Sequence, residues 1–315
     1  MTTIAIDVGG TRIKIGIIDQ GHILTTTKIA SAPDQNIETS LRDISVAVRK
    51  LLHAHSIPEN TLSGIGLSFP GIVDTKQNRV LSRYVKYTNS HQFDFEAWAT
   101  KEWELPIVLA NDAKAALIGE WAYGAGKGFN DIVLLTLGTG VGSAVMMEGR
   151  LLNGRHYLAG NMAGHMSVNI DGKDCNCGFF GCLESEASTW ALPEKIFRHP
   201  LYAQSMLSRI EKIEFMHLFE GADGQDRLAQ IVLEDCLKAW GLCAVNMVHA
   251  YDPDVIVIGG GIMQRKEDIL PAIQKMVDEY AWLEPGTVQV VAAEQVEFAG
   301  LLGMDCLVSK LEKEN

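Results

Sequence analysis

The chain has 315 residues, 47% of them hydrophobic and 21% charged, with a net charge of −12. That balance excludes a disordered chain and argues against a nucleic-acid surface, and the length suits two lobes of about 100–200 residues each. No apolar run approaches the roughly 18 residues that cross a bilayer, and Met1-Thr2-Thr3 opens without the basic stretch of a secretory signal, so a cytoplasmic protein with no membrane contact is expected.

The pattern predicts a strand over Thr3–Val8, broken at Gly9-Gly10-Thr11, then alternating Ile13, Ile15 and Ile17 and a third strand from Ile23 to Ile29. This reads as an antiparallel meander. Helical spacing of Ile37, Leu41, Ile44, Val48 and Leu51 covers residues 37–55, and strands follow at Leu62–Phe69 and Ile107–Ala110, with a helix over Ala113–Trp121. After Gly124–Gly128 the opening plan repeats: strand Ile132–Leu137, turn Gly138-Thr139-Gly140-Val141-Gly142, strand Ser143–Met147. A Gly-, Asn- and Cys-rich insertion occupies residues 155–183, and long helices are expected between about 184 and 250. The pattern closes with a buried strand Val255–Ile258, a helix over 264–283, a strand over 288–293 and a helix over 297–311. Strands alternating with helices in two similar halves indicate an α/β protein of two lobes.

Five motifs carry chemistry. In Asp7-Val8-Gly9-Gly10-Thr11-Arg12-Ile13-Lys14, paired glycines let backbone N–H groups approach a phosphate, Thr11 adds a hydroxyl, and Asp7 at a strand end can hold Mg²⁺ through water. A hairpin turn with a capping Asp would look the same. The echo at Gly138–Gly142 is not a dinucleotide fingerprint, because its third glycine is misplaced and a strand follows it, and no Walker A sequence occurs. One triphosphate clamped between two Gly/Thr hairpins accounts for both turns. Asn111-Asp112 closes a strand and opens a helix, which suits an N-cap as well as a carboxylate base. His165 with Cys175, Cys177 and Cys182 makes the one-imidazole, three-thiolate shell of a closed structural zinc site, whereas Cys236, Cys243 and Cys306 lie in apolar helical patterns as core residues. Gly259-Gly260-Gly261, between a strand and a helix, allows a flat ring or ribose to lie on the backbone.

In this order the motifs resemble the ROK family (repressor, open reading frame, kinase) over nearly the whole chain. The matching stretches are the D-x-G-G-T-x-x-K opening, S-x-P-G at Ser68–Gly71, N-D at Asn111-Asp112, L-G-T-G-V-G, the G-H-M…C-x-C-G-x-x-G-C-L-E signature from Gly164 to Glu184, and I-G-G-G. The resemblance implies a two-lobed actin-like (ribonuclease H-like) α/β sugar kinase fold with the active site in an interlobe cleft. It puts the smaller lobe at residues 1–118 with a returning helix at 297–315, and the larger lobe, carrying the zinc insertion 155–184, at 119–296. ATP with Mg²⁺ is the implied phosphoryl donor, and Asp112 the implied base for the sugar's 6-hydroxyl. Gly71, Asn111, His165 and Glu184 would hold the sugar, with Asn89 a further candidate. Asp7, Gly9, Gly10, Thr11, Lys14, Thr136, Gly138, Thr139 and Gly140 would face the terminal phosphates, and Gly260 and Gly261 the adenosine. The family tendency is homodimeric. A sugar-responsive transcriptional regulator is the non-enzyme alternative, disfavoured by the charge and by a first strand that starts at Thr3 with no helix-turn-helix before it.

One stretch departs from the family pattern. Where the family reads G-E-x-G-H, with a Glu accepting from the sugar's anomeric side, this chain reads Ala159-Gly160-Asn161-Met162-Ala163-Gly164-His165. Counted from either end, Met162 or Asn161 stands in the Glu position. A buried carboxylate left unpaired is costly, so the family's Glu selects against glycosides and its loss relaxes that selection. The expected acceptor is therefore the glucosyl unit of a β-glucoside such as cellobiose. The alternative is a glucokinase or N-acetylmannosamine kinase.

Overall fold

In the computed structural model, which describes residues 2–31, 36–82 and 87–314, the first strand is β1 (Thr2–Val8). Met1 and Asn315, the outer limits of the expected lobes, lie outside the described residues. Ile4, Ile6 and Val8 alternate along β1 with Thr3, Ala5 and Asp7, and a strand sends those sets to opposite faces. β2 (Arg12–Asp19) and β3 (His22–Ala30) complete the antiparallel meander. Then come α1 (Ile37–Ala54), β4 (Leu62–Phe69), the short hairpin of β5 (Val73–Asp74) and β6 (Arg79–Val80), α2 (Phe95–Trp103), β7 (Ile107–Asn111) and α3 (Asp112–Tyr123). The sheet order is β3-β2-β1-β4-β7, with β1, β4 and β7 parallel.

The second half repeats that plan. β8 (Ile132–Leu137), β9 (Val141–Met147) and β10 (Arg150–Leu151) form a meander. The helices α4 (Leu183–Ala187), α5 (Leu192–Phe197), α6 (Phe215–Asp223) and α7 (Arg227–Tyr251) follow, then β11 (Val255–Gly259), α8 (Lys266–Tyr280) and β12 (Gln289–Ala292). The sheet order β10-β9-β8-β11-β12 mirrors the first, with β8, β11 and β12 parallel. Of the long helices expected between 184 and 250, only the 25-residue α7 is long. The others are short: Pro193 opens α5, Pro200 lies beyond its end, and Gly224 caps α6. The last helix is α9 (Ala299–Glu314).

Residues Met1–Gly128, Asn153–Leu158 and Glu297–Asn315 form one unit, and Phe129–Leu152 with Ala159–Val296 the other. The first boundary falls after Gly128, beyond α3, a single helix that packs along α9, and the chain returns to the first unit at Glu297. Residues 153–158 also join the first unit, which nothing in their composition signals.

In the first unit helices cover both sheet faces, which is why β1 and β4 are apolar on both sides. Ile4, Ile6, Ile15, Ile65 and Leu67 pack with Ile37, Leu41, Ile44 and Val48 of α1. The other face carries small residues: Ala5, Gly64 and Gly66 let α9 approach, and a Cβ on Gly66 would stand 2.6 Å from Cβ of Met304. Gly303 of α9 lies on the backbone of α3, where any Cβ would overlap the Ala115 carbonyl oxygen. Gly303→Ala should therefore destabilise by about 1–3 kcal/mol through overpacking, outweighing the roughly 1 kcal/mol that helix propensity favours. Urea unfolding followed by circular dichroism measures it, and a stabilised variant would overturn the close-packing argument.

Candidate active site

β1 and β4 run parallel with Asp7 in register with Ser68, at the ends of both strands and on the α9 face. Ser68 Oγ donates to Asp7 Oδ1 at 2.6 Å. Across the β1–β2 hairpin Asp7 opposes Lys14, whose Nζ lies 3.4 Å from Asp7 Oδ2 and donates to the Glu297 carbonyl at 3.0 Å. Gly300, in the first turn of α9, comes close enough that a Cβ would sit 3.1 Å from the Asp7 carboxyl carbon. Asp7 is thus held by a hydroxyl, a cation and a glycine-permitted helix start. The intervening turn closes with Gly9 N–H donating to the Arg12 carbonyl at 3.0 Å and leaves Thr11 exposed.

Asn111 ends β7 and Asp112 begins α3. The cap geometry of that pair is plain. Asn111 is the N-cap, its Oδ1 accepting from Lys114 N–H at 3.0 Å, and its Nδ2 donates to the Gly71 carbonyl at 2.9 Å and to Asp112 Oδ1 at 2.8 Å. Ala113 N–H donates to the same Asp112 oxygen at 2.8 Å, which leaves Oδ2 for another partner. Burial, reinforced by the negative charge of Asp7, pushes the Asp112 carboxyl up to about 6. A carboxylate poised there is suited to accept a proton near neutral pH. Gly71 turns at φ +101°, a conformation that favours glycine, and the Ser82 hydroxyl accepts from Ile72 N–H at 2.9 Å beside it. The Asn89 amide is engaged elsewhere, accepting from Ile37 N–H at 3.1 Å and donating to Glu38 at 2.7 Å at the start of α1.

In the second unit the turns after β8 and β11 lie side by side, because those strands are parallel and paired from Val255–Ile132 to Gly259–Thr136. Ligands of α/β sheets bind at such carboxyl ends. Gly260, at φ +103°, presses on Leu137 so closely that a Cβ would overlap its carbonyl, whereas Gly138 and Gly261 face open space. Thr189 fixes the first turn, its N–H and hydroxyl both donating to the Gly138 carbonyl at 2.9 Å, and Thr139 stays exposed.

Glu184, in the first turn of α4, accepts from Val141 N–H at 2.8 Å, and Gly140 leaves the room for its carboxylate. The loop Gly160–His165 is pinned by the buried Ser143 hydroxyl, which donates to the Gly160 carbonyl at 3.0 Å and accepts from Ala163 N–H at 2.9 Å. Asn161 and Met162 are both half-buried there, and Met162 precedes the single 3₁₀ turn that presents His165.

The donor atoms of His165, Cys175, Cys177 and Cys182 all lie within 4.8 Å of one another. Cys175 Sγ is 3.7 Å from His165 Nδ1, and Cys177 Sγ is 3.7 Å from Cys182 Sγ. Tetrahedral zinc with bonds of about 2.3 Å puts neighbouring sulfurs about 3.8 Å apart, so these donors fit that ion. Burial pushes the Cys182 thiol up to about 12, so its thiolate calls for a cation beside it. Cys182 immediately precedes α4 and His165 closes the Gly160–His165 loop, so one ion there would fix both Glu184 and His165.

The motifs left Lys114 and Gly300 unmarked and named Ser68 only as the start of S-x-P-G, without a role. Ser68 was readable as a polar residue ending an apolar strand, and Lys114 as the odd cation in Ala113-Lys114-Ala115-Ala116-Leu117. Gly300, distant in sequence from β1, left no signal.

Comparison with known proteins gives the family and the fold. The ROK family model matches residues 3–311. A glucokinase from Thermotoga maritima is 31% identical over 98% of this chain and 97% of its own. An N-acetylmannosamine kinase from Vibrio cholerae is 30% identical over 83% of this chain and 84% of its own. The solved ROK glucokinase of Streptomyces griseus, in complex with glucose and AMPPNP, superposes with a TM-score of 0.79 at 30% identity, covering 98% of this chain and all of the other. The actin-like α/β fold expected from the motifs is thus the observed one, and the chain belongs to the ROK family.

Proposed function

We propose that this protein transfers the γ-phosphoryl group of ATP to the 6-hydroxyl of a glucosyl unit, most favourably in a β-glucoside such as cellobiose. The observation that carries the kinase reading is the Asn111–Asp112 pair, a carboxylate with one oxygen oriented and its proton affinity raised to about 6. Kinase relatives along the whole chain, and an ATP-analogue complex among them, support it.

Asp112 accepts the proton of the 6-hydroxyl as that oxygen bonds to the γ-phosphorus and the bond to the β-phosphate oxygen breaks, releasing ADP. This is an in-line transfer governed by positioning and charge. Gly71, Asn111, His165 and Glu184 hold the sugar, with His165 offering Nε2 to it while Nδ1 faces the thiolates. The hairpin Gly9-Gly10-Thr11 with Lys14, and Thr136 with Gly138-Thr139-Gly140, cradle the phosphates. Gly260 and Gly261 meet the adenosine. Mg²⁺, held by Asp7 through water, would neutralise charge on the phosphates. Zinc would be structural, since a closed Cys₃His shell leaves no position for reacting water. Among the described residues no helix is long and apolar enough to cross a membrane, and a cytoplasmic homodimer remains part of this reading.

The glycoside preference rests on Asn161 and Met162 standing where a carboxylate would penalise a blocked anomeric oxygen, and Met offers an adaptable wall for a second ring. The named relatives favour a free hexose as the second reading. Comparing kcat/KM for cellobiose, methyl β-glucoside, glucose and N-acetylmannosamine separates the two. We expect the β-glucosides to lead. A tenfold preference for either monosaccharide, about 1.4 kcal/mol in transition-state binding, overturns the glycoside assignment and leaves the kinase standing.

A further inference from the structure

Lys114 is 2% exposed, in the first turn of the helix that begins with Asp112. Its ammonium donates to Asn153 Oδ1 at 2.9 Å and to the Tyr157 carbonyl at 3.3 Å, both neutral acceptors. Burial lowers its pKa to about 8. A buried cation on neutral acceptors is a poor stabiliser, since desolvation offsets most of what the hydrogen bonds return. What it does hold is distinctive. Asn153–Leu158 belongs to the first unit, while the chain on either side of it belongs to the second. This strap is also fastened at Tyr157, whose hydroxyl bonds to Asp74, three residues past the Gly71 turn. Gly154, Arg155 and His156 between the fastenings are exposed. The chain passes from Leu158 straight into Ala159–His165, the loop that departs from the family pattern.

We propose that Lys114 is a positioning residue for the sugar acceptor: by clamping the Asn153–Leu158 strap beside the Asp112 helix, it fixes the point at which the chain enters the Ala159–His165 loop. Lys114 touches no reacting atom; it acts through the strap. This inference rests on the kinase reading but is indifferent to which sugar is preferred.

The test is Lys114→Met in the full chain, an apolar replacement of similar length. The KM for the best wild-type acceptor should rise tenfold or more, with the KM for ATP and kcat within threefold of wild type. Trypsin should cleave after Arg155 several times faster, because the strap is released. Asn153→Ala, a milder change at the half-buried partner of the contact, should move both readouts in the same direction and serves alone if Lys114→Met does not fold. An acceptor KM within twofold of wild type, equal rises for ATP and acceptor, or unchanged cleavage at Arg155 would overturn the proposal. A wild-type protein inactive on every sugar would defeat the kinase reading instead, and the Arg155 cleavage rate would still decide whether Lys114 clamps the strap.

Discussion

Asp112→Asn should reduce phosphoryl transfer by about 10²–10⁴-fold while making the protein more stable at neutral pH. The amide preserves shape and can still accept from Ala113 N–H, but it cannot take the hydroxyl proton. The stability gain follows from the raised pKa. A carboxyl held at about 6 in the folded chain against an ordinary 3.8 is protonated more readily when folded, so its ionised form opposes folding. That cost is absent below about pH 4, grows as pH rises from about 4 to 6, and is complete above, where it amounts to at most about 3 kcal/mol. The variant's gain in melting temperature should therefore appear at pH 7 and vanish at pH 4. Wild-type kcat/KM should fall as pH drops through about 6. Turnover above a tenth of wild type would remove Asp112 from the role of base, and a variant less stable at pH 7 would refute the buried-charge account. Activity gained at the expense of stability is a common pattern at catalytic sites.

Loss of the metal cluster should have the second large effect. Protein purified without added zinc should carry one zinc per chain, and Cys182→Ser or strong chelation should lower stability and sugar affinity together. Closed structural zinc sites contribute heavily to folding, and a loss of about 3–5 kcal/mol would lower the melting temperature by roughly 5–8 °C in a chain of this size. The coupling to sugar affinity is the informative part. His165 ends the Gly160–His165 loop, and Cys182 leads into the helix whose Glu184 braces the Gly140–Val141 turn. Calorimetry with the best acceptor before and after chelation, with metal analysis, checks both effects. Substoichiometric zinc with chelator-insensitive sugar binding would dismiss the site.

Much of this was legible in the sequence because the signals were local. Alternating Ile4-Ala5-Ile6-Asp7 reads as a strand with two faces, glycine clusters mark turns, and four metal-ligating side chains within 18 residues of chain have few other uses. The repeated strand–turn–strand plan is visible in the sequence, and the two 5-stranded sheets share it; their common strand order appears only in the structure. Tertiary structure decided what depends on partners far apart in the chain. Asp7 meets Ser68 through strand register and Gly300 through a helix nearly 300 residues away, and neither contact leaves a local pattern. Asn111 proved to be cap and orienter at once, because the backbone it caps and the Gly71 carbonyl it holds converge only after folding. Desolvation of Asp112 and Lys114 is a property of everything packed around them, so composition and spacing could name those residues but not set their proton affinities.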